Sequence, residues 1–201
     1  MQFMSRTALS GVCALPAALL AGALIAASPA ALAAAPPAWT LDKAASRLSF
    51  KSTFGGEAVQ GAFKRWDAQI QFDPKALAAS KAVVTIDVGS AATGNQEQDE
   101  ALPTGDWFSA MRFPKASFVT RSFKDLGGGR YQAIGDLTLR GVSRPVVLPF
   151  TLTIVGDQAK MSGQTVVNRS LFGVGQGQFA SAETVPFNVT VSIALTARRA
   201  K

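Results

Sequence analysis

Few side chains in this chain could do covalent chemistry. There is no histidine, and the single cysteine, Cys13, lies near the start. A nucleophile needs a general base beside it, so Ser–His and Cys–His arrangements are excluded. Soft-metal sites lack their ligands as well. Met111 and Met161 are the methionines beyond the first 33 residues, and no motif around them suggests haem ligation. Glu97, Asp99, Glu100 and Asp106 lie close in sequence, and paired carboxylates can act as acid and base. A solvated helix and loop explain them better. Gly173-Val174-Gly175-Gln176-Gly177 does not follow a strand and open a helix, as a dinucleotide loop would; it reads as a tight loop at the rim of the fold. The expectation is no catalytic residues, no metal, no cofactor and no enzyme.

Charge and apolar capacity remain. The formal net charge is +7, which suits anionic partners such as phosphate-bearing lipids or a membrane surface. A Lys/Arg-rich soluble surface explains it equally well. Basic clusters with interleaved aromatics are absent, so nucleic acid is not expected. Arg140 and Arg144 flank a turn and could meet an anionic headgroup; the alternative is a solvent-exposed hairpin. Thirteen Phe and three Trp stand against one Tyr. Phe50, Phe63, Trp66, Ile70, Phe72, Phe118, Leu137 and Leu139 fall on strand positions that could face inward. Each alone is explained as core. Together they could wall a ligand tunnel, with Trp107 and Phe108 on a loop over its mouth.

The elements that must position these residues are mostly strands. Residues 47–54 alternate with Leu48, Phe50 and Phe54 on one face, and a Gly55-Gly56 turn leads to 57–63. Trp66, Ala68, Ile70 and Phe72 recur with period two, and 81–88 is β-branched. Further strands are expected over 116–124, 130–139, 146–155, 160–168 and 185–197, with Gly127-Gly128-Gly129 as a turn. Asp73-Pro74 opens a short helix over 73–79. Residues 89–115 form a long connection that carries its own structure, with a polar helix candidate over 96–102. About nine short strands with frequent turns point to an all-β barrel or sandwich.

The first 33 residues stand apart. Arg6, the small apolar run from Ala8 to Ala27, the Ser28-Pro29 break and Ala31-Leu32-Ala33 predict a secretory signal peptide cleaved before Ala34. The rival is an uncleaved anchor. Residues 34–201 then form one domain without cysteine, large enough for a core of its own.

The run from Gly135 to Phe150, which contains LTLRGVSRPVVLPF, resembles the signature of the YceI-like family. Trp39-Thr40-Leu41-Asp42, Phe72-Asp73-Pro74, Thr93-Gly94, Asp99, Asp106-Trp107-Phe108, Phe113-Pro114-Lys115 and Arg169 with Phe172-Gly173-Val174-Gly175 extend the resemblance to 39–197. Where family members often carry His, this chain has Ala45 and a residue near Thr53; the family's frequent Arg-Asp pair is Gln98-Asp99. The chain thus resembles a histidine-poor branch.

The resemblance implies an all-β, antiparallel lipocalin-like β-barrel with one short helix and a long structured connection. It implies periplasmic, non-catalytic binding or transport of a long-chain isoprenoid lipid, a polyprenyl or an isoprenoid quinone, in the barrel interior. The candidate ligand-binding residues are Phe50, Phe63, Trp66, Ile70, Phe72, Trp107, Phe108, Phe118, Leu139, Arg140 and Arg144. The alternative is an accessory subunit docking on a cytochrome b561-type membrane protein, with the barrel filled by its own side chains.

Overall fold

The computed structural model describes residues 35–201. The signal peptide over 1–33, its cleavage site and the anchor alternative lie outside the described residues. Among the described residues no helix is long and apolar enough to cross a membrane.

Eleven strand segments form one sheet. They are β1 (Ala38–Leu41), β2 (Arg47–Phe54), β3 (Glu57–Phe63), β4 (Trp66–Gln71), β5 (Lys81–Asp87), β6 (Ala91–Ala92), β7 (Lys115–Gly127), β8 (Arg130–Leu139), β9 (Val142–Val155), β10 (Gln158–Asn168) and β11 (Asn188–Arg199). All neighbours are antiparallel, and β1 pairs with both β4 and β11, which closes the ring. The result is an eight-stranded antiparallel barrel, in which β2, β3 and β6 prolong β1, β4 and β5. Closure leaves no sheet edge running the whole length of the barrel.

The barrel has two dissimilar ends. The lower end carries the 72–80 connection and the turns after β7 and β9. The upper end carries the Gly55-Gly56 turn, the connection 93–114, the Arg140-Gly141 turn and the loop 169–187. The helix α1 (Gln96–Ala101) lies in the long connection, with the Asn95 side chain accepting from the Gln98 N–H as its N-cap. The helix expected over 73–79 shrinks to a 3₁₀ turn at Leu77–Ala79. The Asp73 carboxylate accepts from the Lys75 N–H instead of capping a longer helix, and Ser80 Oγ bonds the Asp73 N–H and the Ala76 carbonyl. The chain is thereby turned straight into β5.

β9 begins at Val142, four residues earlier than its pattern suggested, so Arg144 and Pro145 lie inside a strand. The turn before it is only Arg140-Gly141, both with positive φ (51° and 75°), as a two-residue hairpin requires.

The lower half is solid. Phe72 sits against Phe123, Tyr131 and Phe150 at ring separations of 5.0, 5.7 and 6.3 Å. Tyr131 and Phe150 stack at 5.5 Å. Trp39 closes the base, its indole N–H donating to the Phe72 carbonyl at 2.9 Å. Buried alanines at 68, 133, 159 and 197 make room for these rings. Ring and small residue alternate, and the rings meet one another across the interior.

Candidate functional site

The upper half is hollow. It encloses a cavity of about 520 Å3 with an overwhelmingly apolar wall. Cross-strand register explains the space. Phe50 on β2 pairs with Gly61 on β3, and a Cβ at Gly61 would run into the Phe50 ring. On the other side, a Cβ at Gly135 would come within 2.9 Å of the Phe118 ring. Both phenylalanines therefore lie along the wall, over glycines, and their rings do not fill the lumen. Leu48, Val84, Ile86, Leu148, Val191 and Ile193 complete the deeper wall.

The roof is made of the two long upper connections. Trp107 and Phe179 pack at 4.9 Å, Phe54 and Phe179 at 6.1 Å, Phe63 and Phe108 at 5.8 Å. The Gly175 and Gln176 N–H groups both donate to the Asp106 carbonyl at 2.8 Å, tying one connection to the other. Arg169 holds the second connection. It is buried and donates to the carbonyls of Val174, Gly175, Ser181, Val185 and Pro186. Burial pulls its pKa below the ordinary guanidinium value. Those five bonds use every donor it has, so it acts as a structural staple with no N–H left for a ligand.

Two carboxylates of the long connection are engaged locally. Asp99 accepts from the Thr93 N–H and hydroxyl and from the Gly94 N–H. These bonds hold its carboxyl below the usual carboxylate range. Glu100 accepts from Gln96 Nε2 at 2.9 Å. Neither carboxylate is held ready as an acid–base group. Among the described residues no cluster of acidic side chains could hold a metal.

Of the residues proposed from the sequence, Phe50, Phe63, Phe118, Leu139, Trp107 and Phe108 share the cavity wall. Trp66 and Ile70 pack against the main core and Phe72 belongs to the lower aromatic cluster; none of the three reaches the cavity. The sequence pattern could not separate them, because inward-facing positions look alike in a filled and a hollow half.

Arg140 and Arg144 are not on the wall either. Arg140 Nη1 donates to the carbonyls of Gly105 and Trp107, fastening the β8–β9 turn to the roof. Arg144 is exposed, and its side chain reaches only the Ser143 carbonyl, at 3.3 Å.

Wall residues that the sequence did not single out include Val146, Thr165, Val167 and Val185. Ser52 also lines the cavity, and its Oγ is buried without a hydrogen-bond partner. The rim beside α1 is polar, with Thr53, Asn95, Glu97 and Gln98. Two positions at which the family resemblance breaks, Thr53 and Gln98, thus sit at the mouth of the cavity.

Known proteins match this architecture. The family model described as the YceI-like domain matches residues 39–197. A UPF0312 protein of Pseudomonas syringae pv. tomato is 30% identical over 150 residues, covering 71% of this chain and 78% of the relative. The crystal structure of Burkholderia cenocepacia BcnA superposes with a TM-score of 0.75 at 33% identity, covering 78% of this chain and 98% of that one. A polyisoprenoid binding domain from Saccharophagus degradans, implicated in plant cell wall breakdown, shares the fold. Its TM-score is 0.63 at 15% identity, covering 82% of this chain and 99% of that one.

Proposed function

The chain belongs to the YceI-like family, and from that premise we propose that it is a non-catalytic carrier of an isoprenoid chain held in the upper half of its barrel. The observation that carries this reading is the apolar cavity of about 520 Å3 above a solid floor. Aliphatic and aromatic walls suit a hydrocarbon, whose burial gains ~25 cal/mol per Å2 before entropic costs. The polyisoprenoid binding domain that shares the fold supports the same ligand class.

A cavity of about 520 Å3 falls within the ~300–1,000 Å3 range of ligand pockets. Ser52 Oγ offers one hydrogen bond to an oxygen of the buried ligand. The accessory-subunit alternative presupposed a filled interior, and the hollow upper half favours the lipid reading over it. The expected compartment is the periplasm, supported by the signal-like first 33 residues.

Native mass spectrometry of protein purified from its own host tests this. The expected result is a population heavier by the mass of a prenol or prenylated quinone, shed on delipidation. Protein that is ligand-free, and that gains no mass on incubation with geranylgeraniol, would overturn it.

A further inference from the structure

The barrel wall is not evenly closed around this cavity. β9 and β10 pair from Val155–Gln158 up to Phe150–Gly163 and no further. Yet β9 stays on β8 up to Val142–Leu139, and β10 stays on β11 up to Asn168–Asn188. The upper parts of β9 and β10 therefore lie side by side as two unpaired edges. Residues on both sides of this seam, Val146 and Leu148 on β9 and Thr165 and Val167 on β10, line the cavity.

The sequence enforces the seam. Two-residue turns close the β8–β9 and β9–β10 hairpins, which makes Leu139–Val142 and Val155–Gln158 hydrogen-bonded pairs. Odd-numbered residues of β9 therefore direct their N–H groups toward β10. Pro145 and Pro149 are both odd-numbered, so two of the donors needed to continue the ladder do not exist. What crosses the seam instead is a side chain: Thr165 Oγ1 donates to the Val147 carbonyl at 2.9 Å.

The outer surface around the seam differs from the rest of the barrel. The outward positions of β9, every second residue from Ser143 to Val155, are Ser, Pro, Val and Thr only. Those of β10 above Lys160 and of β11 up to Thr196 are also uncharged. Val147, Val166 and Leu171 stand 45%, 56% and 53% exposed there. On the opposite side Arg47, Lys51, Asp67, Lys81, Asp87 and Arg121 cover the strands. Arg144 lies at the upper end of the seam, between the inward-facing Val142 and Val146, with no acidic partner among the described residues.

We propose that the β9–β10 seam is a lateral gate, and that this uncharged face rests on a lipid bilayer while the apolar chain slides between membrane and cavity. The proposal rests on the lipid-carrier reading above. An uncharged face costs less to dehydrate at a bilayer surface than a charged one. The polar mouth beside α1 is the poorer route, because Glu97, Asp99 and Glu100 with no basic residue in the helix repel anionic lipid. Arg144 suits the phosphate of such a lipid.

Two measurements on a Cys13→Ser background test the gate. The first places a polarity-sensitive fluorophore at Val166→Cys or at Lys51→Cys and adds phosphatidylcholine–phosphatidylglycerol vesicles. A blue shift at 166 and none at 51 is expected; a shift at 51 alone, or at neither, overturns membrane contact by this face. The second joins Val147→Cys to Val166→Cys with a short bis-maleimide and follows geranylgeraniol transfer from the same vesicles. Cross-linking should slow uptake by about tenfold or more relative to the unlinked variant, as when an opening step of the wall becomes limiting. Equal rates would send the chain through the α1 mouth and overturn the gate alone. An unlinked protein that takes up no prenol overturns the gate together with the carrier reading. Hydrogen exchange gives a readout without ligand: the Val147 and Val166 amides should exchange much faster than those of Thr151 and Ser162 in the paired stretch. Equal protection would mean a zipped wall and no gate.

Discussion

The two halves of this barrel are built from the same strands, yet one is filled and the other is hollow. Below, Phe72, Phe123, Tyr131 and Phe150 meet edge-on and stacked across the axis. Above, Phe50 and Phe118 lie back over glycines. The aromatic residue type is shared, and so is a glycine neighbour: Phe150 stands opposite Gly163 on β10, as Phe50 stands opposite Gly61 on β3. What differs is the direction of the ring. The Phe50 ring takes the space a Cβ at Gly61 would need and the Phe118 ring leans over Gly135, whereas only the Cβ of Phe150 approaches Gly163 and its ring meets Phe72, Phe123 and Tyr131. Stability and capacity are thereby assigned to different ends. The plug is expected to hold the barrel shape whether the cavity is empty or filled.

The sharpest way to break this contrast is to hollow out the plug. Phe150→Ala should cost ~3–5 kcal/mol in denaturant unfolding. Phe118→Ala, whose ring already borders empty space, should cost clearly less. Equal losses would mean the halves are not energetically distinct. The roof comes next. Arg169→Met leaves five carbonyls without their donor, at a cost of ~3 kcal/mol or more, and should also shorten ligand residence. Unchanged stability with unchanged residence would remove its role as a staple.

Added volume should separate the halves in a different way. Ile70→Trp overpacks the filled half and should lower stability by ~1–3 kcal/mol, with little effect on ligand capacity. Val191→Trp fills the hollow half and should abolish ligand binding while the melting temperature of the delipidated protein barely moves. Paired melting curves and native mass spectra of the two variants check both expectations.

The smallest effect concerns acid. Asp99 is held below its ordinary value of 3.8 by the hydrogen bonds from Thr93 and Gly94. A depressed carboxylate contributes stability that is full above the ordinary value and is lost as pH falls below it, through the folded-state value. The long connection should loosen in that window, with a modest fall in melting temperature that Asp99→Asn abolishes. An identical acid response in that variant would place the titrating group elsewhere.

Much of the fold was legible without coordinates. Period-two alternation, Gly-rich turns and the LTLRGVSRPVVLPF signature specified an antiparallel barrel with a structured long connection, and the barrel is what these residues build. The aromatic residues of the wall were legible as inward-facing, because strand alternation is local. The helix expected over 73–79 is a tighter turn, because the Ser80 hydroxyl and the Asp73 carboxylate take up the Asp73 and Lys75 N–H groups locally. Arg169 was visible only as a family residue, since no local pattern announces a cation that serves five carbonyls spread over 174–186.

Sequence alone determined the absence of histidine chemistry, the alternation that turns apolar side chains inward, and the two prolines that deprive one face of β9 of donors. These are properties of residue type and spacing along one strand. Tertiary structure decided which half is hollow, which inward residues line the cavity and where the wall stays unpaired. Those outcomes depend on which residues stand opposite each other on neighbouring strands, Phe50 on Gly61 and β9 beside β10. Closure of the barrel brings them together from distant parts of the chain, and register between strands is not written in either strand by itself.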